Sequence, residues 1–172
     1  MNDTSDTSAK TGGDSPEYLA YREKAKGTNI NEQTLLATDY LNHFNEIVMT
    51  LEMIPDMPEF LDEAKEWKPK SYKDHFRDST IADKDLAIEA FDHSPIRFRQ
   101  PFEVTISTID QLIAMAIERA EAAAGAGETE RLRETLTEAS RGIQRLMDMA
   151  SANIHGSETT MDQSEIDNLL NL

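Results

Sequence analysis

Apolar residues recur at three- and four-residue steps along much of the chain, which is the spacing of one face of an α-helix. The first long stripe runs from Leu35 to Ile54, and it predicts a helix that begins at Asn31. Pro55 and Pro58 follow, and proline ends a helix because it lacks a backbone donor and clashes with the preceding turn. No stretch alternates apolar and polar residues as a half-buried strand does, so the pattern favours an all-α fold.

The second half of the chain carries two longer stripes, at residues 102–124 and 128–154. The turn between them is Gly-Ala-Gly at 125–127, which suits a helix C-cap and a reversal of the chain. Two long helices joined by so short a turn lie antiparallel. We therefore expect a three- or four-helix bundle with a long C-terminal helical hairpin.

Shorter helices and breaks separate these stripes. Three short helices are predicted, each after a proline or a capping residue, at residues 17–26, 58–67 and 83–92. Residues 68–79 (KPKSYKDHFRDS) show no clean period, and we expect an ordered loop whose aromatic side chains pack inward. Pro95 and Pro101 predict a further break before the hairpin.

The two ends of the chain differ from the bundle between them. Residues 1–15 are mostly Asp, Ser, Thr and Gly with almost no bulky apolar side chain, so we expect this segment to be disordered. The bundle then occupies residues 16–154, a polar linker residues 155–161, and a short C-terminal helix residues 162–172.

The C-terminal segment MDQSEIDNLLNL encodes its own helix. Asp162 and Glu165 have the spacing of a capping box, and Met161 is placed to act as a hydrophobic staple. Three apolar residues share one face of this helix and form what we call the ridge: Ile166, Leu169 and Leu170. Two turns of helix are marginal alone in water, so the ridge needs a groove, either on its own bundle or on a partner.

Net charge restricts the partners of such a helix. The 172 residues include 33 acidic and 17 basic side chains, which gives a formal net charge of −16. Such a field repels phosphate backbones and anionic lipids, so we expect no nucleic acid and no membrane as partner, and instead a basic protein surface. The absence of cysteine and of an apolar leader at the N-terminus fits a cytoplasmic protein.

Within this segment, QSEIDNLL resembles the peptide at the start of the flagellar switch protein FliM, whose pattern is close to SQxEIDxLL, with the Ser-Gln order reversed. It is also similar to the C-terminal peptide of the chemotaxis phosphatase CheZ, which likewise follows a helical hairpin and a linker. The matching residues are Gln163, Glu165, Ile166, Asp167, Leu169 and Leu170.

In both families this helix docks on the phosphorylated response regulator CheY. The resemblance implies a protein of chemotaxis or flagellar motility that binds a CheY-like receiver domain, and we expect it to be a non-enzymatic signalling adaptor. The adaptor interpretation expects the ridge to be unoccupied within its own molecule. A ridge enclosed in the interior of the bundle would leave only a helical domain of unknown purpose.

A CheZ-like phosphatase is the alternative that this resemblance raises. Phosphatases of that family use an Asp and a Gln one helical turn apart, with the Gln orienting the attacking water. No Gln of this chain has Asp or Glu four positions earlier, and Gln144, in the most similar stretch, follows Ser140. Catalysis would need an unfamiliar water-orienting residue, so we expect no enzyme. A third interpretation is a structural or assembly protein whose tail packs on its own bundle, and a homodimer is compatible with each of the three.

Two further clusters carry groups of chemical interest. Asp39, His43 and Glu46 lie one turn apart, but the His-x-x-Glu order occurs once, so we expect a partly buried His bonded to a neighbouring carboxylate and no metal site. KPKSYKDHFR is the one locally basic stretch, and it predicts either a docking loop or a loop held by its aromatic residues. The common enzyme motifs are missing, and no cofactor is expected.

Overall fold

The computed structural model describes residues 15–171. Residues 1–14, on which the predicted disorder falls, and Leu172 lie outside the described part. The described residues hold eight α-helices and no strand: α1 (Pro16–Ala25), α2 (Asn42–Met53), α3 (Phe60–Glu66), α4 (Tyr72–Arg77), α5 (Lys84–Phe91), α6 (Ile96–Gly125), α7 (Thr129–Ile154) and α8 (Gln163–Leu170). A 3-10 turn at Thr38–Leu41 precedes α2. The prediction of an all-α fold is confirmed, and the three predicted short helices are present as α1, α3 and α5.

Helices α6 and α7 form the predicted antiparallel hairpin, which is the main element of the bundle. Gly127 in the turn between them has a φ of +70°, a conformation that glycine adopts without strain. Helix α2 packs along α7, α3 contacts both α2 and α6, and α4 pairs with α5. Helix α8 lies on α6. None of the helices within residues 15–171 combines the length and the apolar character needed to cross a membrane.

The predicted start of the first long helix at Asn31 is wrong. The Asn31 side chain accepts the backbone N–H of Thr34 at 2.9 Å, and this closes a turn that competes with helix formation. Leu35 then adopts a φ of 60°, which is incompatible with a right-handed helix. Leu35 and its two successors are fully buried, so the first part of the apolar stripe belongs to a buried loop. Helical structure begins only at the 3-10 turn.

The predicted break at Pro101 is also wrong, because α6 runs through this residue. Pro95 stands at the N-cap, and Pro101 follows within the second turn of the helix. Proline removes the hydrogen bond to the carbonyl of Arg97, but Arg97 is exposed, so water can satisfy that carbonyl. Thr105 also donates its hydroxyl to the Pro101 carbonyl at 2.9 Å.

Residues 68–79 are not one irregular loop, because Tyr72–Arg77 is the short helix α4. Ser71 caps it by accepting the backbone N–H of Asp74 at 3.1 Å. The expected inward packing of aromatic residues is confirmed, since Tyr72 and Phe76 are buried. The Tyr72 hydroxyl also accepts the N–H of Ala37 at 2.9 Å, which ties α4 to the buried loop before α2.

Candidate functional site

The predicted capping box of the C-terminal helix is confirmed. The Asp162 carboxylate accepts the N–H of Glu165 at 2.9 Å, and the Glu165 carboxylate accepts the N–H of Asp162 at 3.1 Å. Ser164 donates its hydroxyl hydrogen to the Asp162 carboxylate at 2.7 Å. This hydrogen bond is the main cause that lowers the pKa of Asp162, and the bond from the Glu165 N–H is the second. Gln163 donates to Asp167 one turn later at 2.8 Å. The helix is therefore capped by its own side chains.

The sequence left open whether this helix packs on its own bundle, and the structure shows that it does. Helix α8 lies along α6, and all three ridge side chains are half-buried against the core. The staple residue Met161 is only 6% exposed. The expectation of an unoccupied ridge is therefore wrong for the isolated chain. The ridge nevertheless rests on the outside of the hairpin and is not enclosed in the interior of the bundle.

Gly142 on α7 provides part of the seat for the ridge. A Cβ atom at this position would lie 3.0 Å from Cδ2 of Leu169 on the tail and 3.0 Å from Cδ2 of Leu112 on α6. Glycine inside a helix costs about 1 kcal/mol relative to alanine, so its presence in the middle of α7 calls for a packing reason. Close approach of Leu169 and Leu112 to the α7 backbone is that reason.

Arg119 on α6 holds the end of the tail helix. Its Nη2 donates to the backbone carbonyl of Leu170 at 3.1 Å. The last carbonyls of a helix lack partners within the helix and carry partial negative charge, so a guanidinium there is favourable. Nη1 of Arg119 is buried and has no hydrogen-bond partner in residues 15–171.

The linker that the sequence predicts at residues 155–161 is an ordered, hydrogen-bonded segment. Asn153, which is fully buried at the end of α7, donates its side-chain amide to the carbonyls of Ser157 and Thr159, both at 2.9 Å. The Thr105 hydroxyl on α6 shares its one hydrogen between the Pro101 carbonyl and the Asn153 side-chain oxygen, which lies 3.1 Å away. Asn153 therefore fixes the path by which the chain leaves α7 and reaches α8, a role that no spacing in the sequence indicated.

The predicted partner-binding residues divide into two sets on α8. Gln163, Glu165 and Asp167 are exposed to solvent. Ile166, Leu169 and Leu170 face the bundle and are half-buried. In the docked state the helix thus presents its acidic face, while its apolar face is held by the hairpin.

A second group of polar side chains surrounds Gln144 on α7. Glu52 of α2 accepts the Ser140 hydroxyl at 2.7 Å and the Gln144 amide N–H at 3.2 Å. The three residues line a cavity of about 200 Å³ together with Arg133 and Arg141. A carboxylate thus stands beside Gln144, although it comes from a distant part of the chain and not from the preceding turn of α7.

The expected hydrogen bond between His43 and a neighbouring carboxylate is absent from the described part of the chain. His43 instead stacks on Trp67 with ring centroids 4.9 Å apart, and its Nε2 has no partner within residues 15–171. The pKa of His43 is lowered to about 4, chiefly by burial and to a smaller extent by the positive charges of His75 and Lys70 nearby. The described residues contain no group of three or more His, Asp or Glu arranged to hold a metal ion.

No significant match is found when the chain is compared with protein-family models, with curated proteins and with solved structures. A functional proposal therefore rests on the residues of α8, on its seat and on the groups around Gln144.

Proposed function

We propose that this protein is a cytoplasmic, non-enzymatic adaptor that binds a CheY-like receiver domain of chemotaxis or flagellar type through α8. The observation that carries the proposal is a capped amphipathic helix whose apolar ridge is seated on the surface of the bundle. The residues that resemble the FliM and CheZ peptides are those that form the cap, the acidic face and the ridge of this helix.

Binding to a partner requires α8 to leave the hairpin. Each of the three ridge side chains is half-buried, so each contributes about half of the roughly 1.5–3 kcal/mol that complete burial provides. The conformational entropy of the tail opposes docking. The tail is therefore held weakly enough for a partner with a deeper groove to bind α8 in place of the hairpin.

Charge sets the kind of groove that suits the tail. Asp162, Glu165 and Asp167 lie beside the ridge, and the whole chain has a net charge of −16. A groove rimmed by Lys or Arg complements these carboxylates and speeds the encounter. We expect binding to weaken with added salt, because exposed charge pairs are screened.

The test is a titration of a CheY-type receiver domain, with and without a phosphoryl mimic, into the full chain and into a Gly156–Leu172 peptide. We expect saturable binding that the mimic strengthens, and tighter binding to the peptide because it has no bundle to leave. In the peptide, Leu169→Ala should weaken binding while the matched control Asn168→Ala, at an exposed position, should not. Absence of saturable binding, or equal effects of the two substitutions, would leave the tail a structural part of the bundle.

A receiver phosphatase is a second candidate, and the contact between Glu52 and Gln144 favours it. The Gln144 amide N–H is held by Glu52, so the amide oxygen of Gln144 is available to orient a water molecule. Arg141 lines the same cavity, as does Arg133, which is paired with Asp56. Arg141 forms no ion pair within residues 15–171, so its guanidinium carries the charge that a phosphoryl group attracts.

The two candidates differ in the lifetime of the phosphorylated receiver. A phosphatase accelerates its decay, and Gln144→Ala should abolish the acceleration while Gln111→Ala, at an exposed position on α6, should preserve it. Decay that the full chain leaves unchanged would rule the phosphatase out and leave the adaptor.

A further inference from the structure

A cavity of about 530 Å³ opens between α4, α5 and the first half of α6. This volume lies in the range of roughly 300–1,000 Å³ that is typical of small-molecule sites. Its apolar wall is built from aromatic and branched side chains: Tyr40, Tyr72, Phe91, Phe102 and Ile106. The basic stretch noted in the sequence forms one side of the opening. The seat of α8 uses other residues, farther along α6 and on α7.

Asp110 on α6 is the polar group that distinguishes this cavity. It lines the cavity, is half-buried, and one of its carboxylate oxygens is buried with no hydrogen-bond partner in the described residues. Burial raises the pKa of Asp110 to about 6, so the carboxylate is still mostly ionised at pH 7.5. That oxygen is closed to the cavity, but the rest of the carboxylate lines it, and a cation placed there offsets the cost of a poorly solvated charge.

The cations around the cavity are already neutralised. Each of the three that line it forms an ion pair with a carboxylate: Lys70 with Asp78, Lys73 with Asp92, and Arg77 with Asp74. Glu103 and Asp110 also line the cavity, and neither forms an ion pair in the part of the chain that the structure describes. Together with the ion-pair partners Asp78 and Asp92, which lie outside the lining, the site has three cations and five carboxylates, an excess of negative charge despite its basic rim.

We propose that this cavity binds a small organic cation, an amine or guanidine on an apolar or aromatic body, with the cationic nitrogen placed at Asp110. The aromatic wall suits such a ligand for two reasons: it buries the apolar body of the ligand, and the faces of aromatic rings attract cations. An anion of the same shape would meet the unpaired carboxylate of Asp110 and is disfavoured.

The test uses the full chain and phenethylamine as the probe, with 3-phenylpropionate as an anion of similar size, and follows binding by chemical shifts at pH 7.5. We expect saturable binding of phenethylamine in the millimolar range, as befits so small a ligand, and at least roughly tenfold weaker binding of the anion. Asp110→Asn should weaken phenethylamine binding about tenfold, the usual effect of losing one charged hydrogen bond, while Glu103→Gln, at the exposed edge, should change it less than about threefold.

Ser107→Phe provides a second variant, since Ser107 lines the cavity and is exposed, so a larger side chain there should block the ligand without changing any charge. Equal binding of amine and anion, no saturable binding of the amine, or unchanged affinity in both Asp110→Asn and Ser107→Phe would overturn the proposal. Leu169→Ala should leave phenethylamine binding unchanged, so this result is independent of the receiver titration.

Discussion

Replacing Leu169 with alanine removes three carbons from the centre of the contact between the tail and its seat. Complete burial of each carbon is worth about 0.8 kcal/mol, and Leu169 is half-buried, so the docked state should lose roughly 1.2 kcal/mol. This corresponds to an increase of about sevenfold in the fraction of molecules with a released tail. The rest of the bundle should keep its stability, because α8 contacts it from the outside.

Native-state hydrogen exchange at the amides of α8 measures this fraction. A helix of this length is marginal alone in water, so its amides exchange whenever the tail is released. We expect them to exchange about sevenfold faster in Leu169→Ala and no faster in the control Asn168→Ala, which is exposed on the same helix. Equal rates in the two variants, or unprotected amides in the unmodified chain, would refute the docking argument.

Gly142→Ala approaches the same contact from α7. The added methyl would lie 3.0 Å from Leu169 and equally close to Leu112 of α6, so it should both release the tail and strain the hairpin. In the double variant the effects on tail release should not add, because Leu169→Ala removes the tail side chain that the methyl displaces, while the strain at Leu112 remains.

Three further predictions concern the bundle. Asp110→Asn should raise the melting temperature at pH 7.5 but not near pH 4. Burial raises the folded-state pKa of Asp110 to about 6, so the stability that the protonated acid provides is present at low pH and is lost as pH rises through 6. After allowance for solvent screening, the variant should gain about 1 kcal/mol in the free energy of unfolding at pH 7.5. Asn153→Ala should lower the free energy of unfolding, measured in urea, by about 2–3 kcal/mol, because it removes three hydrogen bonds of a fully buried side chain. A loss below about 0.5 kcal/mol, which is typical of a surface substitution, would contradict the role of Asn153 in fixing the path from α7 to α8. Gly156→Ala should destabilise, since φ is +110° and the new Cβ would lie 2.7 Å from the Gln33 side chain, whereas Gly125→Ala, with no atom near its Cβ, should not.

Local signals in the sequence were sufficient where the cause of a structure is local. Asp162 and Glu165 stand three residues apart and form the capping box that this spacing predicts. The Gly-Ala-Gly turn between two long apolar stripes gives the antiparallel hairpin for the same reason. Asn31 shows the limit, because an asparagine before an apolar stripe suits either a helix cap or a closed turn, and the burial of the following loop decides between them.

Long-range contacts were not predictable from spacing. The ridge has the same pattern whether it faces its own bundle or a partner, so the sequence could not assign it. Glu52 and Gln144 meet only because α2 packs along α7. Gly142 did carry a signal, since glycine in the middle of a strong helix is costly and usually marks a close approach of another element.

The short connection from α7 to α8 keeps the ridge beside its seat at an effective concentration in the millimolar range. An outside protein therefore competes with a neighbour that cannot diffuse away. If the closed form outnumbers the open form by about ten to one, the apparent dissociation constant for any such protein rises about tenfold. The full chain would therefore be mostly unbound at partner concentrations that half-saturate the free tail, and the length of its own tether sets that difference.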